Sequence, residues 1–381
     1  MAVRAMARVN LAAVERNVAR LGAGLSPGAG LCAVVKADGY GHGAVPVAHA
    51  ALAGGARSLA VATAAEAAEL RAGGIDAPVL IMGALSDEEL PVALAARGEV
   101  VAWSEMFVPA LLRARGRAGE AAGPVRVHVK LDSGMGRLGT RVLDEAVQVA
   151  ERVAGAAPGL ELAGAMTHFA SADEDPEFTA AQLSRFEPFV RQLRASRPGI
   201  VAHAANSAAT LLFPASHLDL VRCGIAVYGC DPMNDDPAPH GLEPALELTS
   251  YVAAVKAAAP GESAGYGRRW VAGSETWVAT VPIGYADGIR RALTNNCEVL
   301  IGGRRYPLAG TVSMDNITVE VGSADAVRYG DRVTIIGGDG NERQTAEEVA
   351  RRIGTISYEI LCGLTPRVPR AYHHDGAPVE R

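Results

Sequence analysis

LCAVVKADGYGHG, residues 31–43, raises the first question: five apolar or small residues run straight into Lys36 and then into a loop with three glycines. The run has the length and character of a buried strand, and glycine lets the following loop turn where other residues would clash. A lysine is costly to place at the end of such a strand. It is also rare here, occurring only at positions 36, 130 and 256, so that 33 of the 36 basic residues are arginine. A chain that uses arginine wherever positive charge suffices keeps lysine for what guanidinium cannot do, which is to lose a proton and act as nucleophile or base.

Outward from this stretch the same texture repeats. Strand-like runs are LCAVVK (31–36), SLAVA (58–62), PVLIMG (78–83), EVVAW (99–103), VRVHVKLD (125–132), LELAGAMTH (160–168), GIVAHAAN (199–206) and HLDLVRCGIAVYG (217–229). Between them lie helical patterns such as AAEAAELRAGG and VLDEAVQVAERVAG, apolar along one face. Eight strand signals alternating with helices predict a (β/α)8 barrel, where a doubly wound sheet would use about five or six strands. After DPMNDDPAPHGLEP (231–244), read as a linker, the chain turns to alternating β-like runs and glycine turns, with one helix over 345–364. The expected fold is therefore α/β: an N-terminal (β/α)8 barrel over 1–240 and a C-terminal mainly β domain over 241–381.

Composition limits the function classes. The 381 residues exceed what one core usually supports, and 49% hydrophobic with 20% charged residues is globular. A formal net charge of -6 gives no electrostatic reason to expect nucleic acid or an anionic membrane. No apolar run reaches the ~18 residues of a membrane span, and the N-terminus lacks the apolar core of a signal peptide. Five scattered cysteines without a CxxC pair suggest neither a disulfide framework nor a metal site. A small-molecule role in a reducing cytoplasm is expected.

In barrel enzymes the active site lies at the C-terminal ends of the strands. Here those ends carry Lys36, Lys130, Asp132 and Arg137, then His168, His203, Asn206, Ser207 and Arg222. Each alone has a structural reading, His168 for instance being more often a hydrogen-bonded core histidine, but together they converge on one rim. NSAAT and CGIAVYG follow strands seven and eight, where barrels commonly bind phosphate; Ser207 stands at a helix start and Gly224 allows close approach. An amine opposite a phosphate cradle is what pyridoxal phosphate requires.

The stretch AVVKADGYGHGA (33–44) resembles the pyridoxal-lysine signature of alanine racemases. HVKLDSGMGRLG (128–139), MTHFASADE (166–174), HAANSAA (203–209), RCGIAVYG (222–229), GYG (265–267), PIGYADG (282–288), SMDN (313–316) and ISYEILCGLTPRVPR (356–370) resemble the family in the same order. The resemblance implies that Lys36 holds pyridoxal 5'-phosphate as a Schiff base and serves one face of the substrate. Tyr266, contributed across a homodimer interface by the partner subunit, would serve the other. Arg222 would face the pyridine nitrogen, supported by His168 and His203. Tyr40, Ser207, Gly224, Ile225 and Tyr358 would bind phosphate, with Asn206 beside them. Arg137 and Met314 would contact the substrate carboxylate, with Asp315 adjacent and Tyr285 at the entrance, and Lys130 would be carbamylated and orient Arg137. The implied activity is interconversion of L- and D-alanine for peptidoglycan.

Two positions depart from the pattern: Thr311 where many members have arginine, and Ser313 where many have cysteine. Lys256 matches no assigned role. A racemase of broader specificity, acting for instance on serine, is the nearest alternative. Related pyridoxal-dependent decarboxylases place an acid at the pyridine nitrogen, against Arg222, and barrel-only pyridoxal-binding proteins lack the second domain.

Overall fold

The computed structural model describes residues 4–117 and 123–379. They form two compact units, one of residues 15–39 and 44–227, the other of 4–14, 40–43 and 228–379. The first strand, β1 (Met6–Asn10), belongs to the second unit. The first unit contains β2 (Gly30–Val34), β3 (Ser58–Val61), β4 (Val79–Ile81), β5 (Gly98–Ala102), β6 (Val125–Lys130), β7 (Leu160–Met166), β8 (Val201–His203) and β9 (Leu220–Cys223). All eight segments expected from the sequence are strands, hydrogen-bonded in parallel in the order β8-β7-β6-β5-β4-β3-β2-β9. Beside β8 and β9, Asp219 N–H donates to Ala202 O at 3.1 Å and Arg222 N–H to Ala205 O at 2.9 Å, which nearly closes the barrel.

Parallel strands in a barrel are covered on both sides, which is why GLCAV and VLI are continuous apolar runs and fully buried. VRVHVK in β6 is different. Val125, Val127 and Val129 alternate with Arg126, His128 and Lys130, so one face of this strand carries three basic side chains. Helix Ala64–Ala72 starts at Thr63 with a capping box, Thr63 and Glu66 each satisfying the other's backbone N–H. Helix Leu143–Gly155 buries Ala146, Val147, Ala150 and Val153 at helical spacing.

The second unit continues with β10 (Leu246–Tyr251), β11 (Ala254–Ala258), β12 (Ser263–Ala264), β13 (Trp270–Val271), β14 (Thr276–Val281), β15 (Glu298–Ile301) and β16 (Arg304–Pro307). It ends with β17 (Ile317–Glu320), β18 (Arg332–Asp339), β19 (Glu342–Gln344), β20 (Arg370–His374) and β21 (Ala377–Pro378). Its main sheet runs β16-β15-β18-β10-β1-β20-β21, and β11-β14-β17 form a smaller antiparallel sheet.

Three expectations change. Residues 6–10 leave the barrel domain drawn over 1–240: β1 pairs antiparallel with β10 and parallel with β20, so the two ends of the chain share one sheet. Residues 231–244 are held within the second unit, since Asp231 N–H donates to Glu347 at 2.9 Å and the Asn234 amide bridges Thr355 O and Ser357 N–H. The single helix over 345–364 is two, Ala346–Arg352 and Ser357–Cys362. Gly354 at φ +68° and extended Ile356 break it.

Candidate active site

Lys36 lies two residues beyond β2, and the next turn is left-handed: Ala37, Asp38, Gly39 and Tyr40 have φ between 52° and 58°. Left-handed backbone costs non-glycine residues roughly 1–2 kcal/mol each, so the surrounding structure must hold it. Ala37 N–H donates to Glu66 Oε1 at 2.7 Å, Ala44 N–H to Asp38 Oδ1 at 2.9 Å and Gly39 N–H to Val35 O at 3.0 Å. The capping glutamate of helix Ala64–Ala72 thus also fixes the turn that presents Lys36.

Arg222 in β9 is fully buried and almost fully engaged. Nη1 donates to His203 Nδ1 at 2.7 Å; Nη2 donates to Thr167 O at 2.7 Å, Ala204 O at 3.0 Å and His168 Nδ1 at 3.2 Å. Burial pulls its pKa down to about 10, still well above neutrality. Both histidines lie well below their usual value, through burial and then the Arg222 charge, and are neutral acceptors. The Nε–H of Arg222 is buried without a hydrogen-bond partner among the described residues. A buried cation with one N–H left over suits an uncharged ring-nitrogen acceptor.

Lys130 ends β6 and is 4% exposed. Desolvation, then the charges of Arg222 and Arg137, lower its pKa to about 8, partly opposed by Asp132. Asp132 has the opposite balance. Burial would raise it, but N–H donors of Gly136 and Gly134 and the Arg141 guanidinium hold its carboxyl below the usual range. These bonds wrap the SGMGRLG loop around the carboxylate and leave Arg137 exposed.

Across the barrel mouth, Ser207 Oγ accepts from Gly224 N–H at 2.9 Å and Ala226 N–H at 3.4 Å, joining the two loops after β8 and β9. Asn206 caps helix Ser207–Leu212, its Oδ1 accepting from Ala209 N–H at 3.0 Å. The barrel therefore gathers Lys36, Lys130, Asp132, His168, His203, Asn206, Ser207, Arg222, Gly224 and Ile225 at the C-terminal ends of its strands.

Apart from Arg137, which stands exposed on the loop after β6, the other expected residues lie in the second unit. Tyr266 is 75% exposed between Gly265 and Gly267, both at positive φ. Its carbonyl accepts from Thr311 Oγ1 at 2.6 Å, and Ser313 Oγ donates to Asn316 O at 2.7 Å. The two departures from the family pattern thus serve turn hydrogen bonds. Tyr285 N–H donates to Ser313 O at 2.9 Å and Ala286 N–H to Met314 O at 3.0 Å, where a side chain on Gly284 would collide with both carbonyls. Arg367 binds Asp315 at 2.7 Å. The rings of Tyr40 and Tyr358 lie 5.9 Å apart. Lys256 sits in β11 and contributes nothing to these groups.

Sequence reasoning passed over His128 and Glu99. His128 Nδ1 meets His203 Nε2 at 2.8 Å, and His128 Nε2 meets Glu99 Oε2 at 2.8 Å. The alternation RxHxK in β6 was the available signal, since inward polar residues at period two in an apolar strand need partners inside the barrel.

Comparison with known proteins settles the family. The model for the alanine racemase N-terminal domain matches residues 9–232, and that for the C-terminal domain matches 245–372. The chain belongs to the alanine racemase family. It is 40% identical to an alanine racemase of Desulfovibrio desulfuricans over 96% of this chain and 97% of that one, and 43% identical to one of Symbiobacterium thermophilum over 96% of each. Among solved structures, alanine racemase from E. faecalis superposes with a TM-score of 0.91 at 37% identity, covering 97% of this chain and 98% of that one. The Bacillus anthracis alanine racemase with bound L-Ala-P gives a TM-score of 0.91 at 37% identity, covering 100% and 97%. The chain is an amino-acid racemase, an isomerase, and no helix among the described residues is long and apolar enough to cross a membrane.

Proposed function

We propose that this racemase interconverts L- and D-alanine with pyridoxal 5'-phosphate, in the cytoplasm, supplying D-alanine for peptidoglycan, and that it works as a homodimer. The observation that carries the cofactor reading is the buried, unpartnered Nε–H of Arg222, set among strand ends that also bear a lysine. When bound, the cofactor supplies an electron sink that makes the amino-acid α-proton removable.

The chain's own groups do the rest. Lys36 anchors the cofactor through its amine and exchanges a proton on one face of the α-carbon; Tyr266 of the partner subunit exchanges a proton on the other. Racemisation needs two such groups, because the proton leaves one face and must be delivered to the opposite one. The exposure of Tyr266 on its own unit leaves its hydroxyl available to another subunit. Arg222 keeps its proton, so its Nε–H would donate to the pyridine nitrogen of the cofactor without handing over a full positive charge. That moderates electron withdrawal, which suits a reaction that must return the proton rather than break another bond.

Ser207 and the backbone at Gly224 and Ile225 are assigned to the phosphate, with Tyr40 and Tyr358, and Asn206 beside them. Arg137 and the Met314 N–H are assigned to the substrate carboxylate, with Asp315 beside them and Tyr285 at the entrance. Carbamylated Lys130 would place a negative charge near Arg137. Its depressed pKa supports this assignment, because only the neutral amine adds carbon dioxide. The deciding experiment is circular dichroism of L-alanine incubated with the enzyme and pyridoxal phosphate, repeated with L-serine. Decay of the alanine signal supports the reading, decay of both widens the substrate range, and decay of neither overturns it.

A further inference from the structure

Arg222 is the near end of a hydrogen-bonded row that crosses the barrel. Its Nη1 meets His203 Nδ1 at 2.7 Å, His203 Nε2 meets His128 Nδ1 at 2.8 Å, and His128 Nε2 meets Glu99 Oε2 at 2.8 Å. Glu99 Oε1 in turn accepts from Arg126 Nε at 2.7 Å, and Arg126 also pairs with Glu161. Glu99 and Arg126 stand near the starts of β5 and β6, whereas His203 ends β8. The row therefore runs from the catalytic end of the barrel to the opposite end.

The donors fix its direction. Guanidinium N–H can only donate, so His203 Nδ1 must accept and the proton of His203 sits on Nε2. Nε2–H then donates to His128 Nδ1, which places the His128 proton on Nε2, facing a carboxylate that can only accept. Every hydrogen bond points from Arg222 toward Glu99, and reversing any one would set two donors or two acceptors face to face. Glu99 stays ionised: burial opposes it, but the bonds from His128 and Arg126 hold its carboxyl below the usual range.

The fold makes room for this row. A side chain at Gly164 would lie 2.1 Å from His128 Nδ1, and the β6–β7 register shifts between Val127 and His128. His128 and His203 are 3% and 0% exposed, so neither is a surface histidine caught in passing contact.

We propose that Glu99 and His128 are positioning residues for racemisation: acting through His203, they hold its tautomer and ring orientation so that Arg222 is fixed with Nε–H toward the reaction centre. This rests on the alanine racemase reading above, but its main test does not depend on turnover.

The test uses holoenzyme labelled with 15N-histidine and two-bond proton–nitrogen spectra, which separate the two neutral tautomers from imidazolium. Both His128 and His203 are expected as neutral Nε2–H at neutral pH. An Nδ1–H tautomer or an imidazolium at either position would overturn the proposal. Glu99→Gln keeps shape and bulk but removes the carboxylate. Arg126 still demands the amide oxygen, so the amide NH2 is turned toward His128 Nε2. The His203 resonances should then move, although the substituted side chain does not touch that residue, and kcat should fall roughly ten- to a hundredfold with little change in KM, a cost typical of losing the partner that orients a functional imidazole. Gly164→Ala should act similarly by crowding His128 without removing any charge. Unchanged His203 resonances and kcat in both variants would overturn the proposal. A wild-type enzyme that racemises neither amino acid would sink the functional reading while leaving the tautomer result readable.

Discussion

At the scale of single residues, the three lysines differ in setting: Lys36 stands in a turn, Lys130 is buried at the end of β6, and Lys256 lies in β11. Lys36 is presented by a left-handed turn that suits Gly39 and Asp38 but not Ala37 and Tyr40, held through Glu66 and Asp38. Lys36→Ala should lower racemisation by on the order of a thousandfold, within the range for losing a proton-transferring group. Loss of the dichroism of L-alanine measures this, and activity within tenfold of the parent would exclude Lys36 as a base. Lys130 makes a second prediction. With carbon-13 bicarbonate, the wild type should show a carbamate carbon signal that Lys130→Met lacks, and identical spectra would remove the modification. Where the amine is unmodified, its pKa of about 8 lies below the unfolded reference of about 10.4. Between those values the unfolded chain binds more protons, so stability rises with pH across that window; below about pH 8 the full cost of charging the buried amine is present. Urea midpoints measured from pH 8 to 10 should rise in a carbon-dioxide-free sample and flatten in Lys130→Met.

At the scale of elements, buried Asp287 in the turn 284–288 and Asp315 in the SMDN segment share two arginines, Arg4 and Arg367. Asp287 accepts two bonds of 2.6 Å from Arg4 and one of 2.8 Å from Gly284 N–H, and lies 3.3 Å from Arg367. Asp287→Asn keeps the shape but removes the charge opposing two arginines. Because both arginines are partly solvated, the expected loss is roughly 2 kcal/mol, less than for a fully buried pair. The urea midpoint should drop with an unchanged slope, and an unmoved midpoint would show that the charge contributes nothing.

The barrel strands were legible because parallel strands need uninterrupted apolar runs, which LCAV and VLI supply. The place of β1 was not, since MARVN says that it is a strand without saying which distant strands flank it. Strand-end position made legible that Lys36, His203 and Arg222 stand at one rim of the barrel. Asn206, by contrast, uses its side chain as a helix cap, a local role that end position does not reveal. Glu99 and His128 stayed hidden because their meaning lies in pairing across three strands, and only the alternation in VRVHVK hinted that the interior of β6 was polar.

At the scale of the whole molecule, the barrel carries Lys36 and the second unit carries an exposed Tyr266, and the proposed mechanism takes the two from different subunits. Mixing inactive chains separates this from action within one chain. In a dimer of one Lys36→Ala chain and one Tyr266→Phe chain, exchange of tyrosines puts an intact lysine and an intact tyrosine in one site and both lesions in the other. Random reassembly makes half the dimers mixed, each with one working site of two, so activity should return to roughly a quarter of the parent level. If Tyr266 served its own chain, every site in the mixture would keep one lesion and no activity would return. Unfolding and refolding the two variants together, with each refolded alone as the control, gives either recovery, which requires a shared site, or none, which places Tyr266 in the site of its own chain.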